Sequence, residues 1–330
     1  MTSKPLDEFG LIARHLAPLA TYPGARGLTD DVAVLAAADA KAGLVLNTDT
    51  VVCGVHFLPD DPPAAIAERV LRVNLSDLAA KGARPIGYLL SLALSPAEDG
   101  DWVAGFCDGL RQNQQAFAWS LLGGDTVRTP GAFTATVTAL GEALPGGGPL
   151  RSAAQAGDDI WVTGTIGDGA LGLAVCQGKA PAISQDLARQ AEQRFRMPEP
   201  RVALGRALCG TGLIRASADV SDGLVADTGH IAEASGLCAV IEGAAVPLSP
   251  AASAAVAMDG GWFSRLITGG DDYELLLTAP PSALKMLTAA ASERGVPLTR
   301  VGHMEAGSGI KVLDQSGVPF ALSQGGYRHF

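Results

Sequence analysis

Carboxylates recur in five short segments of this chain, and each segment closes an apolar stretch. Aspartate and glycine are poor strand and helix formers, so we expect these carboxylates at the ends of elements, around a common mouth. Carboxylates brought together repel one another unless a cation neutralises them, and Mg²⁺ characteristically binds a few carboxylates together with substrate phosphates. The pattern therefore predicts magnesium and nucleotide chemistry. The segments lie at 47–50, 74–77, 123–126, 219–223 and 269–274, with a similar Asp30-Asp31 pair.

Other phosphate-binding patterns are weak or missing in the sequence. The only Gly-Lys, at 178–179, is followed by Ala180, so there is no Gly-x-x-x-x-Gly-Lys-Ser/Thr loop. The glycines at 167, 169 and 172 form a Gly-x-Gly-x-x-Gly pattern. A dinucleotide site also requires an acid at the end of a second strand about 20 residues on, and the acids in that stretch lie in a predicted helix. A nicotinamide or flavin site is therefore the weaker alternative.

Composition narrows the class of protein. The chain has 330 residues, of which 48% are hydrophobic and 18% charged, which favours packed α/β layers. A net charge of −10 argues against a nucleic-acid partner, which needs a basic footprint. The longest uncharged apolar run, 85–96, is too short to cross a membrane, and residues 1–20 lack the continuous apolar core of a signal peptide. We expect a cytoplasmic protein with five reduced cysteines.

Turn-forming residues concentrate at 144–159, so we place a boundary near 148, between an N-terminal domain (1–148) and a C-terminal domain (149–330). Hydrophobic periodicity predicts two α/β domains. The N-terminal elements are strands at 32–37, 44–49, 86–94, 119–122 and 133–142 and helices at 62–81 and 99–118. The C-terminal elements are strands at 159–163, 216–220, 237–242, 273–279 and 298–303 and helices near 168–177, 185–195, 200–209, 223–235 and 281–294.

The predicted helix at 62–81 carries two of the candidate polar residues. Asn74 and Asp77 are three residues apart and hence on one face. A surface face would usually carry Lys or Glu at these positions. We interpret the pair as polar groups inserted into an apolar stripe.

The motifs, taken in order, resemble those of the thiamine-monophosphate kinases, in the superfamily of aminoimidazole ribonucleotide synthetase and selenophosphate synthetase. The resemblance spans nearly the whole chain. It implies an α/β (α+β) two-domain architecture, with a mixed N-terminal sheet that forms a homodimer, and phosphorylation of thiamine monophosphate to thiamine diphosphate by ATP with several Mg²⁺ ions. The motifs include Asp-Asp-Val-Ala-Val-Leu at 30–35, Asn-Thr-Asp-Thr at 47–50, Asn-Leu-Ser-Asp-Leu-Ala-Ala-Lys-Gly-Ala at 74–83, Gly-Gly-Asp-Thr at 123–126, Leu-Arg-Ser at 150–152, Asp-Val-Ser-Asp-Gly-Leu at 219–224, Gly-Gly-Asp-Asp-Tyr-Glu at 269–274 and Gly-Tyr-Arg-His-Phe at 326–330.

The resemblance also implies roles for individual residues. We expect no acid or base residue, since metal-assisted transfer needs none. The implied ATP contacts are Gly124, Asp125, Arg151 and Ser221, and the implied thiamine-phosphate contacts are His56, Asp271 and Tyr327. The implied metal ligands are Asp30, Asn47, Thr48, Asp49, Asp77, Asp125, Asp219 and Asp222.

Three positions depart from the family pattern. Thr29 stands where glycine is usual, Asn47 where Ser or Thr is usual, and Asp271 where the family has Glu. Two alternatives remain at this point. One is another ATP-dependent member of the superfamily, although the chain has neither an N-terminal nor a C-terminal reactive cysteine. The other is a nucleotide-binding relative that has lost phosphoryl transfer.

Overall fold

The computed structural model of this protein describes residues 8–28, 35, 41–314 and 316–319. Within these residues the chain forms two compact units. The first consists of the described residues up to 78 together with 83–146, and the second of 79–82 together with the described residues from 147 onward. Apart from Leu35, the strand predicted at 32–37 lies outside the described residues.

The first unit is built on a four-stranded mixed sheet. In chain order its helices and strands are α1 (Glu8–Leu11), β1 (Leu44–Val52), α2 (Pro63–Ala80), β2 (Arg84–Leu94), α3 (Gly100–Phe117), β3 (Ser120–Arg128) and β4 (Thr134–Glu142). The strand order is β1-β4-β2-β3, with β4 antiparallel to β1 and β2, and β2 parallel to β3. The predicted mixed N-terminal sheet is confirmed.

Helices α2 and α3 pack against each other on the inner side of this sheet. Gly109 of α3 lies so close to α2 that an added Cβ would approach the Ala64 carbonyl oxygen to 2.3 Å. Gly141 of β4 also faces α2, because a Cβ there would be 3.2 Å from the Leu78 side chain. Buried residues alternate with half-buried ones along β4, and three of the inward side chains are fully buried: Ala135, Val137 and Ala139.

The outer face of the same sheet carries exposed apolar side chains. Residues paired directly across neighbouring strands share a face. Leu46 pairs with Leu140, and Thr138 pairs with Leu89 in the next row. Leu46 and Leu89 are both exposed. A cavity of about 700 Å³ is lined in part by residues of this face, including Leu89, Thr138 and Asp125.

The second unit contains a six-stranded mixed sheet surrounded by helices. Its strands have the order β10-β7-β9-β5-β8-β6, and β10 is parallel to β7 while the other pairs are antiparallel. In chain order the elements are β5 (Asp159–Thr163), α4 (Asp168–Cys176), α5 (Gln185–Arg196), α6 (Val202–Gly210), β6 (Ala216–Asp219), α7 (Leu224–Ser235), β7 (Leu237–Glu242), α8 (Pro250–Met258), α9 (Gly261–Thr268), β8 (Leu275–Ala279), α10 (Leu284–Ser292), β9 (Leu298–Ala306) and β10 (Gly309–Leu313).

Helices α8 and α9 and strand β10 were not predicted from the sequence. Helix α8 is rich in alanine on all sides, so it shows no contrast between an apolar and a charged face. Its contacts with the core come from Ala251, Ala252 and Ala255, which are buried against Leu171 and Leu266. Tertiary packing therefore stabilises a helix that periodicity alone does not reveal. In the described residues, no helix is long and apolar enough to cross a membrane.

Three of the carboxylate segments lie inside elements, so the prediction that all of them end elements is wrong. Strand β1 continues to Val52 and β3 to Arg128, which places 47–50 and 123–126 within strands, and 74–77 lies within α2. The physical reason is that β1 stays paired with β4 through Val52, and its threonines and valines favour a strand more than one Asn and one Asp oppose it. Asp219 does end β6, and 269–274 directly precedes β8.

Candidate active site

In the first unit, β1 and α2 bring four polar side chains together on the inner side of the sheet. Asn47 and Asp49 are two apart on β1 and therefore share a face. The Asn47 Nδ2 donates to Asp77 Oδ2 at 2.9 Å and to Asn74 Oδ1 at 3.0 Å, and it lies 3.5 Å from Asp49 Oδ2. We call these four residues the inner carboxylate cluster. Its composition of two carboxylates and two amides follows from the segments that the sequence analysis selected.

Electrostatics within this cluster favour a bound cation. Burial raises the pKa of Asp49 above its ordinary value, because the charged form loses hydration. Hydrogen bonds with Asp77 and Asn47 oppose this rise, and so does the charge of the nearby His56. Among the described residues, the buried Asn47 Oδ1 has no hydrogen-bond partner. An oxygen-only set with an unpartnered buried carbonyl fits a hard cation such as Mg²⁺.

His56 lies just after β1, in the turn that follows Val52. Its Nδ1 accepts a hydrogen bond from the Val52 backbone N–H at 3.1 Å. In the neutral ring the proton must then be on Nε2, which makes that nitrogen a donor. The ring is half-buried and close enough to Asp49 to influence its charge. A donor at this position can meet an anionic ligand.

Thr48 and Asp125 lie on the outer face of the sheet and not with the inner carboxylate cluster. The Thr48 hydroxyl donates to the Val137 carbonyl and accepts from Thr138. Asp125 pairs with Ser91, Ser91 with Thr136, and Thr136 with Thr50, so these four residues share one face of the sheet. Thr50 follows Asp49 directly in β1 and therefore lies on the opposite face from it. The side chains of the predicted metal ligands in this unit are therefore divided between two faces.

Gly124 is required where β3 approaches β2. An added Cβ would lie 1.8 Å from the Leu90 carbonyl oxygen, which no side chain can tolerate. The glycine thus lets Asp125 follow at an exposed position, with its Oδ1 accepting from the Thr126 N–H at 2.8 Å. Asp30 and Tyr327, two further predicted site residues, lie outside the described residues.

In the second unit, Asp219 is the last residue of β6, and the loop that follows holds Ser221 and Asp222. Asp227, in the first turn of α7, accepts hydrogen bonds from the backbone N–H groups of Ser221 and Asp222, each at 3.0 Å. Burial raises the pKa of Asp227 to about 8, and the charges of Asp219 and Asp222 add to that rise. Ligand atoms of Asp222, Asp227 and His230 lie within 4.8 Å of one another. Carboxyl groups are therefore concentrated here as they are in the first unit.

Sequence reasoning missed Asp227. The available signal was its place in the first turn of a helix directly after Asp-Val-Ser-Asp-Gly, where an acid can bind the unpaired N–H groups of the preceding turn.

Arg151, predicted to bind ATP, lies exposed in a short 3₁₀ turn at Arg151–Ala153. The Ser235 hydroxyl donates a hydrogen bond to the Arg151 backbone carbonyl at 3.0 Å.

The loop at 269–274 is tied by its backbone to the loop after β6. The Asp271 N–H donates to the Ser221 carbonyl, and the Tyr273 N–H donates to the Val220 carbonyl. Asp271 and Tyr273 both have positive φ angles, 73° and 53°, a strained conformation for residues with side chains. The Tyr273 hydroxyl donates to Asp271 Oδ1 at 3.0 Å. The structure thus brings Asp271 next to Ser221, one of the predicted ATP contacts.

The two other acids of this loop face the interior. Asp272 accepts from the backbone N–H groups of Gly167 and Gly169 at 2.7 and 3.0 Å, and burial raises its pKa well above the usual range. Glu274 is fully buried and forms ion pairs with Arg194 and Arg201. The Gly-x-Gly-x-x-Gly pattern therefore binds a carboxylate of the protein itself, which explains why it resembles an anion site.

Comparison with known proteins assigns the chain to a family. The AIR synthase related protein N-terminal domain matches residues 29–143, and the corresponding C-terminal domain matches residues 155–315. The chain is 40% identical over 327 residues to thiamine-monophosphate kinase of Salmonella typhimurium, with 98% of each covered. The Bacillus subtilis enzyme of the same name is 34% identical, with 98% of this chain and 100% of the relative covered. The chain belongs to the thiamine-monophosphate kinase family of AIR synthase related proteins.

Solved structures of this family have the same fold. Thiamine-monophosphate kinase from Stenotrophomonas maltophilia has a TM-score of 0.79 at 38% identity, covering 89% of this chain and 91% of its own. AaThiL complexed with AMPPCP and TMP has a TM-score of 0.76 at 27% identity, covering 100% of both chains. The hydrogenase maturation protein HypE of E. coli, at 20% identity, shares the fold alone. The predicted two-domain architecture is thereby confirmed.

Two departures from the thiamine-monophosphate kinase pattern fall within the described residues. Asn47 donates to Asp77 while its carbonyl oxygen is unpartnered, so the amide supplies both a donor and a candidate ligand. Asp271, shorter than the expected Glu, is anchored by Tyr273. Thr29, the third departure, lies outside the described residues.

Proposed function

We propose that this protein transfers the γ-phosphoryl group of ATP to thiamine monophosphate, forming thiamine diphosphate and ADP. The observation that carries the proposal is the inner carboxylate cluster, with its unpartnered Asn47 Oδ1, in a chain 40% identical to a thiamine-monophosphate kinase. In support, a relative with the same fold is complexed with AMPPCP and TMP.

The chemistry requires charge neutralisation more than proton transfer. A phosphate monoester has a second pKa near 6, so its oxygen is already an anionic nucleophile at neutral pH. Mg²⁺, when bound, neutralises the phosphates and aligns them for in-line displacement. No acid or base residue is needed in this proposal, and no phosphoryl-enzyme forms.

The residues of each unit have distinct tasks in the proposed reaction. Asn47, Asp49 and Asp77 would hold Mg²⁺ in the first unit, and Asp219 and Asp222 in the second. The family resemblance implies Asp30, Thr48 and Asp125 as further metal ligands. Because the side chains of Thr48 and Asp125 lie on the outer face, they would bind a metal ion other than the one at the inner carboxylate cluster.

The remaining contacts are with ATP and with the acceptor. Gly124, Asp125, Arg151 and Ser221 are proposed to contact ATP, and Arg151 offers a forked cation for phosphate oxygens. His56 would donate to the acceptor phosphate. Asp271 would place an anion beside the positively charged thiazolium ring. Tyr327 completes the proposed acceptor contacts.

The decisive test is incubation of the pure protein with Mg-ATP and thiamine monophosphate. We expect ADP and thiamine diphosphate in equal amounts. Binding of Mg-ATP without product would instead identify a nucleotide-binding relative that has lost transfer. Asp77→Asn is the matched variant, because it keeps the side-chain shape but removes the charge, and it should abolish product formation with the fold retained.

We also propose that the protein is a homodimer and works in the cytoplasm, where ATP is supplied. The exposed apolar side chains on the outer face of the first unit's sheet, including Leu46, Leu89 and Val127, support a second copy as the cover. Light scattering should give twice the chain mass of 33.6 kDa. A mass equal to one chain in a dilute sample would refute the dimer.

A further inference from the structure

Asn74 is a fully buried amide in the middle of helix α2. Burying an amide costs free energy unless its groups form hydrogen bonds. Both groups of Asn74 do so: Nδ2 donates to the Val70 carbonyl at 2.8 Å, and Oδ1 accepts from Asn47 Nδ2 at 3.0 Å. A structural role inside the helix needs only the first of these bonds. The second connects the helix to the inner carboxylate cluster.

The Val70 carbonyl determines the orientation of both amides. A carbonyl can only accept, so the NH₂ group of Asn74 must face Val70 and its Oδ1 must face Asn47. Asn47 must then present its own NH₂ to Asn74 and Asp77, which turns its Oδ1 to the other side. A flipped Asn47 would place Oδ1 against two acceptor oxygens. This chain of donors leaves the Asn47 Oδ1 without a hydrogen-bond partner in the part of the chain that the structure describes.

We propose that Asn74 is a positioning residue for the metal site, acting through Asn47. It holds the Asn47 amide in the one orientation that offers a carbonyl oxygen to Mg²⁺ while the NH₂ group holds Asp77. The inference rests on the proposed function, because that function places Mg²⁺ at the inner carboxylate cluster. Residues that orient metal ligands typically change metal affinity about 10–100-fold when they are removed.

Asn113 provides a matched control in the same unit. It is also a fully buried asparagine in a long helix, α3, and it also forms two side-chain hydrogen bonds. Its Nδ2 donates to Glu68 Oε2 and its Oδ1 accepts from Trp119 Nε1, each at 2.9 Å. Neither of these two bonds involves the inner carboxylate cluster. Loss of Asn113 should therefore lower stability without changing the Mg²⁺ response.

The experiment is a titration with Mg²⁺ alone, followed by the rise in melting temperature of the nucleotide-free protein. We expect Asn74→Ala to raise the Mg²⁺ concentration at half-saturation at least about tenfold, and Asn113→Ala to leave it within about twofold of wild type. Asn74→Ser is the second variant, should alanine prevent folding. A serine hydroxyl can donate back to the Val70 carbonyl four residues earlier but is too short to replace the contact with Asn47.

A double variant separates positioning from general loosening. Once Asn47→Ala has removed the amide, adding Asn74→Ser should cause no further loss of Mg²⁺ affinity. Independent losses that add together would overturn the inference, and so would equal Mg²⁺ responses in Asn74→Ser and wild type.

Failure of the inference can be distinguished from failure of the proposed function. If Asp77→Asn weakens the Mg²⁺ response while Asn74→Ser does not, only the role of Asn74 is wrong. If wild-type protein shows no Mg²⁺ response, or makes no thiamine diphosphate, the proposed metal site or the proposed function is wrong.

Discussion

Removal of the Asp272 carboxylate should destabilise the second unit through two backbone groups. Asp272 is buried, and its two oxygens accept from Gly167 N–H and Gly169 N–H at 2.7 and 3.0 Å. These N–H groups lie at the start of α4, where a helix leaves its first donors without intrahelical partners. Asp272→Ala leaves both donors buried without an acceptor.

The expected cost follows from the number of orphaned donors. A buried donor without an acceptor costs about 1–3 kcal/mol, so the two together cost about 2–6 kcal/mol. Asp272→Asn keeps the shape and one acceptor oxygen, so about half of that loss is expected. Burial raises the pKa of Asp272, which means that its charged form is itself costly in the fold. The stability that wild-type protein owes to this residue therefore falls as pH rises above the ordinary range of Asp, and the alanine effect should be smaller at high pH.

Urea unfolding followed by circular dichroism at constant pH measures this cost. Asp186→Ala is a suitable control, because Asp186 is exposed on α5 and forms an ion pair with Arg189 one turn away. Its removal should change the free energy of unfolding by no more than about 0.5 kcal/mol. If Asp272→Ala is as stable as this control, the carboxylate does not support the α4 start and our account of the loop is wrong.

Three further predictions concern the proposed site. His56→Ala should raise the apparent KM for thiamine monophosphate more than that for ATP, and equal effects on both in steady-state assays would indicate a structural role. Asp271→Glu should be tolerated, whereas Asp271→Ala should weaken the use of thiamine monophosphate and leave ATP binding unchanged. Loss of Mg²⁺ affinity in the alanine variant would instead place Asp271 with the metal ligands. In metal-free protein, Asp227 has a raised pKa of about 8 and therefore binds its proton more tightly in the folded state than in the unfolded state. Its contribution to the free energy of unfolding should fall as pH rises from about 4 to about 8, by up to about 1.4 kcal/mol per pH unit. Urea midpoints at pH 5 and pH 8 in EDTA should show this slope in wild type and not in Asp227→Asn.

Most elements could be predicted because their residues alternate or recur with a clear period. Helix α2 begins and ends within one residue of the predicted 62–81, since Pro62 and Pro63 lie at its start and Gly82 follows its end. The extensions of β1 and β3 could not be predicted, because pairing with neighbouring strands decides where a strand ends. The outer position of Asp125 follows from that register and not from the Gly-Gly-Asp-Thr motif.

For parts of the candidate site, the sequence predicted which residues take part but not how their side chains are oriented. Asn47, Asp49 and Asp77 were selected from the sequence, and the structure brings them together. The amide orientation of Asn47 depends on Val70, a backbone carbonyl that no motif marks. Hydrogen-bond polarity is a property of the assembled network, so a list of polar residues cannot contain it.

The motif Gly-Gly-Asp-Asp-Tyr-Glu shows the same limit most clearly. Three acids in four residues suggest one carboxylate cluster, yet Asp272 and Glu274 face inward to backbone N–H groups and arginines. Asp271 instead accepts from the Tyr273 hydroxyl, and both residues have positive φ angles. Because the family has Glu at this position, the Asp271 side chain is one methylene shorter than the family pattern. The structure shows instead that Asp271 gains an anchor in Tyr273, so a longer Glu would gain reach only by giving up or bending that hydrogen bond.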